Sequence, residues 1–116
     1  MMATNKPNVI VELTFRFALS IIEFTEELES RRKFNMANQL FRCGTSIGAN
    51  VREAQGAESK SDFVHKCKVA YKEAEESEYW LLLCQFSQNY PFDEKLLIEV
   101  ENIKKVLGKI ISTSKK

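Results

Sequence analysis

The sequence predicts an all-α protein, an antiparallel up-down-up-down four-helix bundle, and three observations carry that prediction. Apolar residues recur at steps of three and four along four separate segments, the spacing of a helix face. Only four Gly and two Pro occur in 116 residues, too few turn formers for a sandwich or barrel of short strands. The breaks between segments are short and polar, which makes consecutive helices antiparallel neighbours. With 44% apolar and 28% charged residues, the chain has the composition of one globular domain, residues 1–116, around a single core.

The first helix is expected over about residues 8–30. Pro7 and Asn8 precede it, and Ile10, Leu13, Phe17, Ile21, Phe24 and Leu28 form its core row. A second row, Val11, Phe15, Ala18 and Ile22, runs about 100° around the same helix. One bundle core consumes one row, so Val11, Phe15 and Ile22 are expected to cover a neighbouring subunit. The polar stretch Ser-Arg-Arg-Lys-Phe-Asn then breaks the pattern.

The second helix reads over about 35–57, with an inward stripe of Ala37, Leu40, Phe41, Gly44, Ile47, Gly48 and Val51. Each glycine costs about 1 kcal/mol of helix propensity relative to alanine. Close approach of a neighbouring helix is the expected compensation. Gly56 is the stop signal.

Ser59 or Ser61 can cap the third helix, expected over 60–89, with Asp62 favourable in its first turn. The core row is Phe63, Cys67, Ala70, Ala74, Ser77, Leu81 and Cys84. Tyr71, Leu82 and Phe86 flank it on one side and Trp80 on the other. Pro91 predicts an end near Asn89–Tyr90. The fourth helix, about 93–112, starts at Asp93 and carries the cleanest heptad: Leu96, Val100, Ile103, Leu107 and Ile110. The tail Ser-Thr-Ser-Lys-Lys is expected to fray.

The inventory for catalysis is thin. The single histidine, His65, stands two residues from Cys67, which separates their side chains by about 200° on a helix, so they cannot share a metal. Cys43, Cys67 and Cys84 lack a paired spacing and suit reduced, structural thiols. The acidic run Glu73, Glu75, Glu76 and Glu78 lacks the Glu-x-x-His pairs of a di-iron bundle and reads as a solvated or intersubunit face. No phosphate-binding glycine loop or nucleophile elbow is present. The expectation is therefore no enzyme, no catalytic residue, no cofactor and no metal. No apolar run reaches membrane-spanning length and no signal-peptide core opens the chain, so a cytoplasmic protein with no membrane partner is expected.

Two surface features remain. Ser46, Asn50 and Glu53, spaced by four and three, share one face of the second helix away from its core row. They read as a row of hydrogen bonds to another helix, as a wet face, or as an intersubunit hydrogen-bonding surface, the last being favoured. The second feature is charge. The net charge is only +1, yet an up-down bundle gathers residues 1–18, 47–73 and 103–116 at one pole. Twelve basic residues meet five acidic ones there, a surplus of seven, against a deficit of six at the other pole. A basic pole is an electrostatic footprint for a polyanion, RNA or DNA included, or simply a solubilising feature of helix ends. Lys68 and Lys72, beside His65 on one outward side of the third helix, are the preferred contacts. Lys105 and Lys109 form a second pair near the same end.

The stretch from Gln39 to Leu83 resembles the bacterial 23S rRNA intervening-sequence proteins, a family historically labelled ribosomal. The resemblance rests on Gln39–Arg42, on Ser46-Ile-Gly-Ala-Asn50-x-x-Glu53, on Ser59 and Ser61 before Phe63, and on Tyr71-x-x-Ala74-x-x-x-x-Tyr79-Trp80-Leu81. The family's usual Glu-Gly stands here as Glu53-Ala54-Gln55-Gly56. The resemblance implies a cytoplasmic bundle that assembles into a homopentameric ring. It also links the chain to the accessory variability proteins of retroelements, basic pentamers that bind nucleic acid and a reverse transcriptase. The expected function is a non-enzymatic homo-oligomeric scaffold that contacts RNA or DNA through its basic pole. The alternative is a protein–protein interaction module with no nucleic-acid role.

Overall fold

Four helices account for nearly all of the chain in a computed structural model that describes residues 8–115. They are α1 (Val9–Ser30), α2 (Phe34–Gln55), α3 (Lys60–Phe86) and α4 (Glu94–Ser114). Pro7, Lys6 and Lys116, the last two counted above at the basic pole, lie outside the described residues.

Three of the four starts are locally encoded, whereas α2 begins after Lys33 with no side-chain cap. Asn8 caps α1 by accepting from the Val11 amide, Ser59 caps α3 by accepting from the Asp62 amide, and Asp93 caps α4 by accepting from the Lys95 amide. Ser59, rather than Ser61, is thus the cap. Two ends differ from expectation. α3 stops at Phe86, because residues 87–93 must turn across the bundle end: Asn89 takes a left-handed φ of 65° and Pro91 is buried. Lys33, between α1 and α2, sets its ammonium 4.6 Å from the Tyr90 ring and ties that turn down. α4 continues through the Ser-Thr-Ser tail to Ser114 instead of fraying, since no Gly or Pro interrupts it there.

The helices run antiparallel in sequence order. Asn8 at the start of α1 donates to Gln55 at the end of α2. Arg42 and Lys66 bridge α2 and α3 to Glu76 and Glu53, and Lys104 bridges α4 to Glu78 of α3. α1 and α4 close the ring along a seam that includes Ser20, Phe24, Leu96 and Glu99. The result is a rod about 45 Å long, with no diagonal helix pair in backbone contact among the described residues.

The core follows the predicted rows. Ile10, Phe17, Ile21, Phe24 and Leu28 of α1 meet Leu40, Ile47 and Val51 of α2, Leu81 of α3, and Leu96, Val100, Ile103 and Leu107 of α4. Phe41 leaves the stripe, 49% exposed, because one residue beyond Leu40 turns it about 100° out, and Leu13, Phe63 and Ile110 are only half-buried, packed against the edge of the core. The two helix-2 glycines do permit close approach. A Cβ on Gly44 would stand 2.8 Å from Ile21 Cγ1, and one on Gly48 would stand 3.3 Å from the Thr14 carbonyl oxygen. Thr14 sends its hydroxyl back to the Ile10 carbonyl, so this buried polar group is satisfied within α1.

Candidate nucleic-acid interface and apolar faces

The antiparallel order places the start of α3 beside the end of α4, and lysines from both meet there. Lys60, His65, Lys68 and Lys115 line one groove between them. Lys68, Lys72 and Lys115 line a second, contiguous groove with Tyr71, Glu75, Gly108, Ile111 and Ser112. Lys68 and Lys115 lie so close that the Lys115 side chain, by contact and by charge, lowers the Lys68 pKa. An anion between two such neighbouring ammonium groups relieves their mutual repulsion.

Other lysines of this pole are already spent. Lys66 is 2.8 Å from Glu53 and Lys104 is 2.8 Å from Glu78, and the hydrogen bond to each carboxylate raises each lysine pKa. Among the described residues, Lys68, Lys72, Lys105, Lys109 and Lys115 form no ion pair with a carboxylate. The four predicted contacts are all exposed. They do not form one site, however. Lys68 and Lys72 share the α3–α4 groove, Lys105 lies in the next recess along with Glu78, Glu101 and Lys104, and Lys109 lines neither. Sequence reasoning overlooked Tyr71 and Gly108 as groove residues, and it counted Lys115 at the basic pole without naming it as a contact.

The predicted subunit row is only partly outward. Phe15 is 50% and Ile22 37% exposed, whereas Val11 is half-buried against the core. Leu19, 50% exposed, completes the surface; its spacing of four from Phe15 and three to Ile22 was the signal that could have found it. Phe34 and Phe41 expose their rings on α2, and Arg52 sets its guanidinium 5.9 Å from the Phe15 ring across the α1–α2 seam. A second apolar stripe, Tyr79, Leu82 and Phe86, lies on α3. It continues from Glu78, the partner of Lys104, so it follows the α4-facing edge on the opposite side of the bundle.

Ser46, Asn50 and Glu53 do not stand away from the core. Ser46 and Asn50 are half-buried beside α3, and the three are occupied within the chain. Ser46 Oγ donates to the Arg42 carbonyl at 2.6 Å, Asn50 Nδ2 to the Ser46 carbonyl at 2.9 Å, and Glu53 accepts from Lys66. The row lies about 100° from the line of Leu40, Ile47 and Val51, which turns it toward the neighbouring helix.

The acidic run is likewise no single face. Glu76 accepts from Arg42 at 2.8 Å and from Trp80 Nε1 at 3.2 Å, Glu78 holds Lys104, and Glu75 lines the α3–α4 groove. Glu73 keeps one buried carboxylate oxygen without a hydrogen-bond partner, and burial, then the charge of Glu76, raises its pKa. Among the described residues no three His, Cys, Asp or Glu side chains converge on a metal-binding point. All three thiols are buried. Burial pushes those of Cys43 and Cys84 to about 11, so both stay protonated at neutral pH. No helix among the described residues is long and apolar enough to cross a membrane.

These features define a small four-helix-bundle protein with a lysine-lined groove at one end and apolar stripes on opposite sides. The chain belongs to the 23S rRNA-intervening sequence protein family, whose model matches residues 6–112. It is also similar to a crystal structure of a protein of unknown function from the S23 ribosomal protein family of Bacteroides thetaiotaomicron. The two are 39% identical with a TM-score of 0.81, over 88% of this chain and 97% of the other. No curated protein matches the chain. Neither the family's description nor that of the crystal structure names an enzymatic activity.

Proposed function

We propose that this protein is a non-enzymatic, cytoplasmic scaffold that assembles with copies of itself and holds RNA or DNA phosphates along its basic pole. The observation that carries the reading is the pairing of two unlike apolar stripes on opposite faces with a cluster of unpaired lysines at one end. Phe15, Leu19, Ile22 and Phe41 on one face and Tyr79, Leu82 and Phe86 on the other each leave between 37% and 79% of their surface exposed, and grouped apolar side chains of this kind mark interaction sites. Because the two stripes differ, one copy's α1–α2 face meets another's α3–α4 face, a head-to-tail contact that closes into a ring when the rotation permits. Five is the copy number that the family resemblance implies. Repetition around a ring multiplies the Lys68, Lys72 and Lys115 cluster, and phosphates bind there by counterion release with little sequence preference.

Light scattering and nucleic-acid titration across a salt series test this together. The wild type is expected to be an oligomer at about 10 μM, a weak-affinity threshold, and Phe15→Asp with Leu19→Asp is expected to dissociate it while keeping its helix content. Lys68→Glu with Lys72→Glu should weaken binding equally for unrelated sequences and flatten its salt dependence, with assembly intact. A strict monomer refutes the assembly. Absence of binding at low salt refutes the nucleic-acid role and leaves a scaffold for a protein partner.

A further inference from the structure

The α3–α4 groove has a chemistry that phosphate binding alone does not use. Its rim is basic: Lys68, Lys72 and Lys115 against one carboxylate, Glu75, a surplus of two positive charges. Its floor is aromatic and aliphatic, built from Tyr71, Gly108 and Ile111. Tyr71 is half-buried and packs on the core, so its ring is held in place. Lys104, itself fixed by Glu78 at 2.8 Å, sets its ammonium 5.7 Å from the ring centroid. Gly108 adjoins Tyr71 from α4: a Gly108 Cβ would stand 3.9 Å from Tyr71 Cε2, so a longer side chain there would occupy the groove beside the ring. The groove measures about 580 Å³, within the range of pockets that take a molecule of nucleotide size.

An aromatic ring beside clustered cations is how proteins hold unpaired nucleotides: the base stacks on the ring while the backbone follows the charge. A duplex stacks its bases on one another and offers them no such partner. We infer that the α3–α4 groove seats one nucleotide of a single strand, its base against Tyr71 and its phosphate among Lys68, Lys72 and Lys115. The inference rests on the nucleic-acid reading above and narrows it to single strands with a stacking residue.

The test is fluorescence anisotropy of the full-length protein with a labelled 12-nucleotide single strand and the matching 12-base-pair duplex, each across a salt series. The single strand is expected to bind more tightly than the duplex. Tyr71→Leu, which keeps an apolar side chain on the core, should weaken single-strand binding roughly 5- to 150-fold, the loss expected for one stacked base. Its salt slope should stay unchanged. Tyr71→Phe should behave as wild type. Gly108→Leu, which alters neither ring nor charge, should reproduce the Tyr71→Leu loss by filling the groove beside the ring. Lys68→Ala with Lys72→Ala should instead flatten the salt slope for both probes. Equal affinity for strand and duplex, with Tyr71→Leu and Gly108→Leu at wild-type affinity, overturns the stacking site and leaves the basic pole standing. No binding of either probe by the wild type overturns both.

Discussion

Gly44→Ala, set against Gly108→Ala, separates helix propensity from helix packing in this bundle. Both glycines lie inside helices, so alanine gains about 1 kcal/mol of propensity at either site. Their surroundings differ. A methyl group at Gly44 would stand 2.8, 3.0 and 3.1 Å from Cγ1, Cγ2 and Cδ1 of Ile21, a fully buried residue. Ile21 is β-branched and stiff at χ1, so no rotation carries all three atoms away. Forcing a methylene-sized group into such a contact costs about 1–3 kcal/mol. Gly44→Ala is therefore expected to destabilise by about 0–2 kcal/mol after the propensity gain is subtracted. At Gly108 the nearest atom is Tyr71 Cε2 at 3.9 Å, an ordinary van der Waals separation. Gly108→Ala should therefore stabilise by about 1 kcal/mol. Urea unfolding at one fixed protein concentration, with unchanged m values, measures the difference. A double-mutant cycle adds the attribution: in an Ile21→Ala background, Gly44→Ala should become favourable, with a coupling above about 0.5 kcal/mol. If Gly44→Ala stabilises the wild type as much as Gly108→Ala does, the close approach of α1 and α2 does not constrain this site.

Two further perturbations probe charge and backbone. Burial raises the Glu73 pKa above its ordinary 4.5, so the folded state disfavours the carboxylate; the cost is absent below the ordinary value and fully present above the raised one. Glu73→Gln is thus expected to gain a few tenths of a kcal/mol at pH 7 and nothing at about pH 4, measured by thermal unfolding across pH; a gain that persists at the acid end contradicts the assignment to charge. Arg32 closes α1 with a left-handed φ of 64°, a conformation that costs a residue bearing Cβ about 1–2 kcal/mol. Arg32→Gly should stabilise by about 0.5–1 kcal/mol, the strain relieved less the entropy that glycine adds to the unfolded chain; a lower melting temperature would show that the Arg32 side chain contributes more than its backbone costs.

The number of helices, their core rows and most of their boundaries are properties of local spacing, and so the sequence alone determined them. Leu96, Val100, Ile103 and Leu107 are buried because steps of four and three return to one side of α4 whatever packs there. Ser59 caps α3 because a hydroxyl ahead of a helix reaches the amide three residues on without help from another element. Gly44 and Gly48 announced a close neighbour by costing propensity that only packing could offset. Other features depend on how helices rotate and slide against each other, which spacing within one helix does not specify. That register paired Lys66 with Glu53 and Lys104 with Glu78 while leaving Lys68 and Lys72 unpaired. It turned Ser46 and Asn50 toward α3 rather than outward, and the reversal over residues 87–93 cut α3 short at Phe86. It also carried α4 far enough to bring Gly108 against Tyr71 and Lys115 beside Lys68, so that four residues distant in sequence line one groove. The candidate site belongs to the tertiary structure because its two walls come from different helices, and only their antiparallel packing brings those walls face to face.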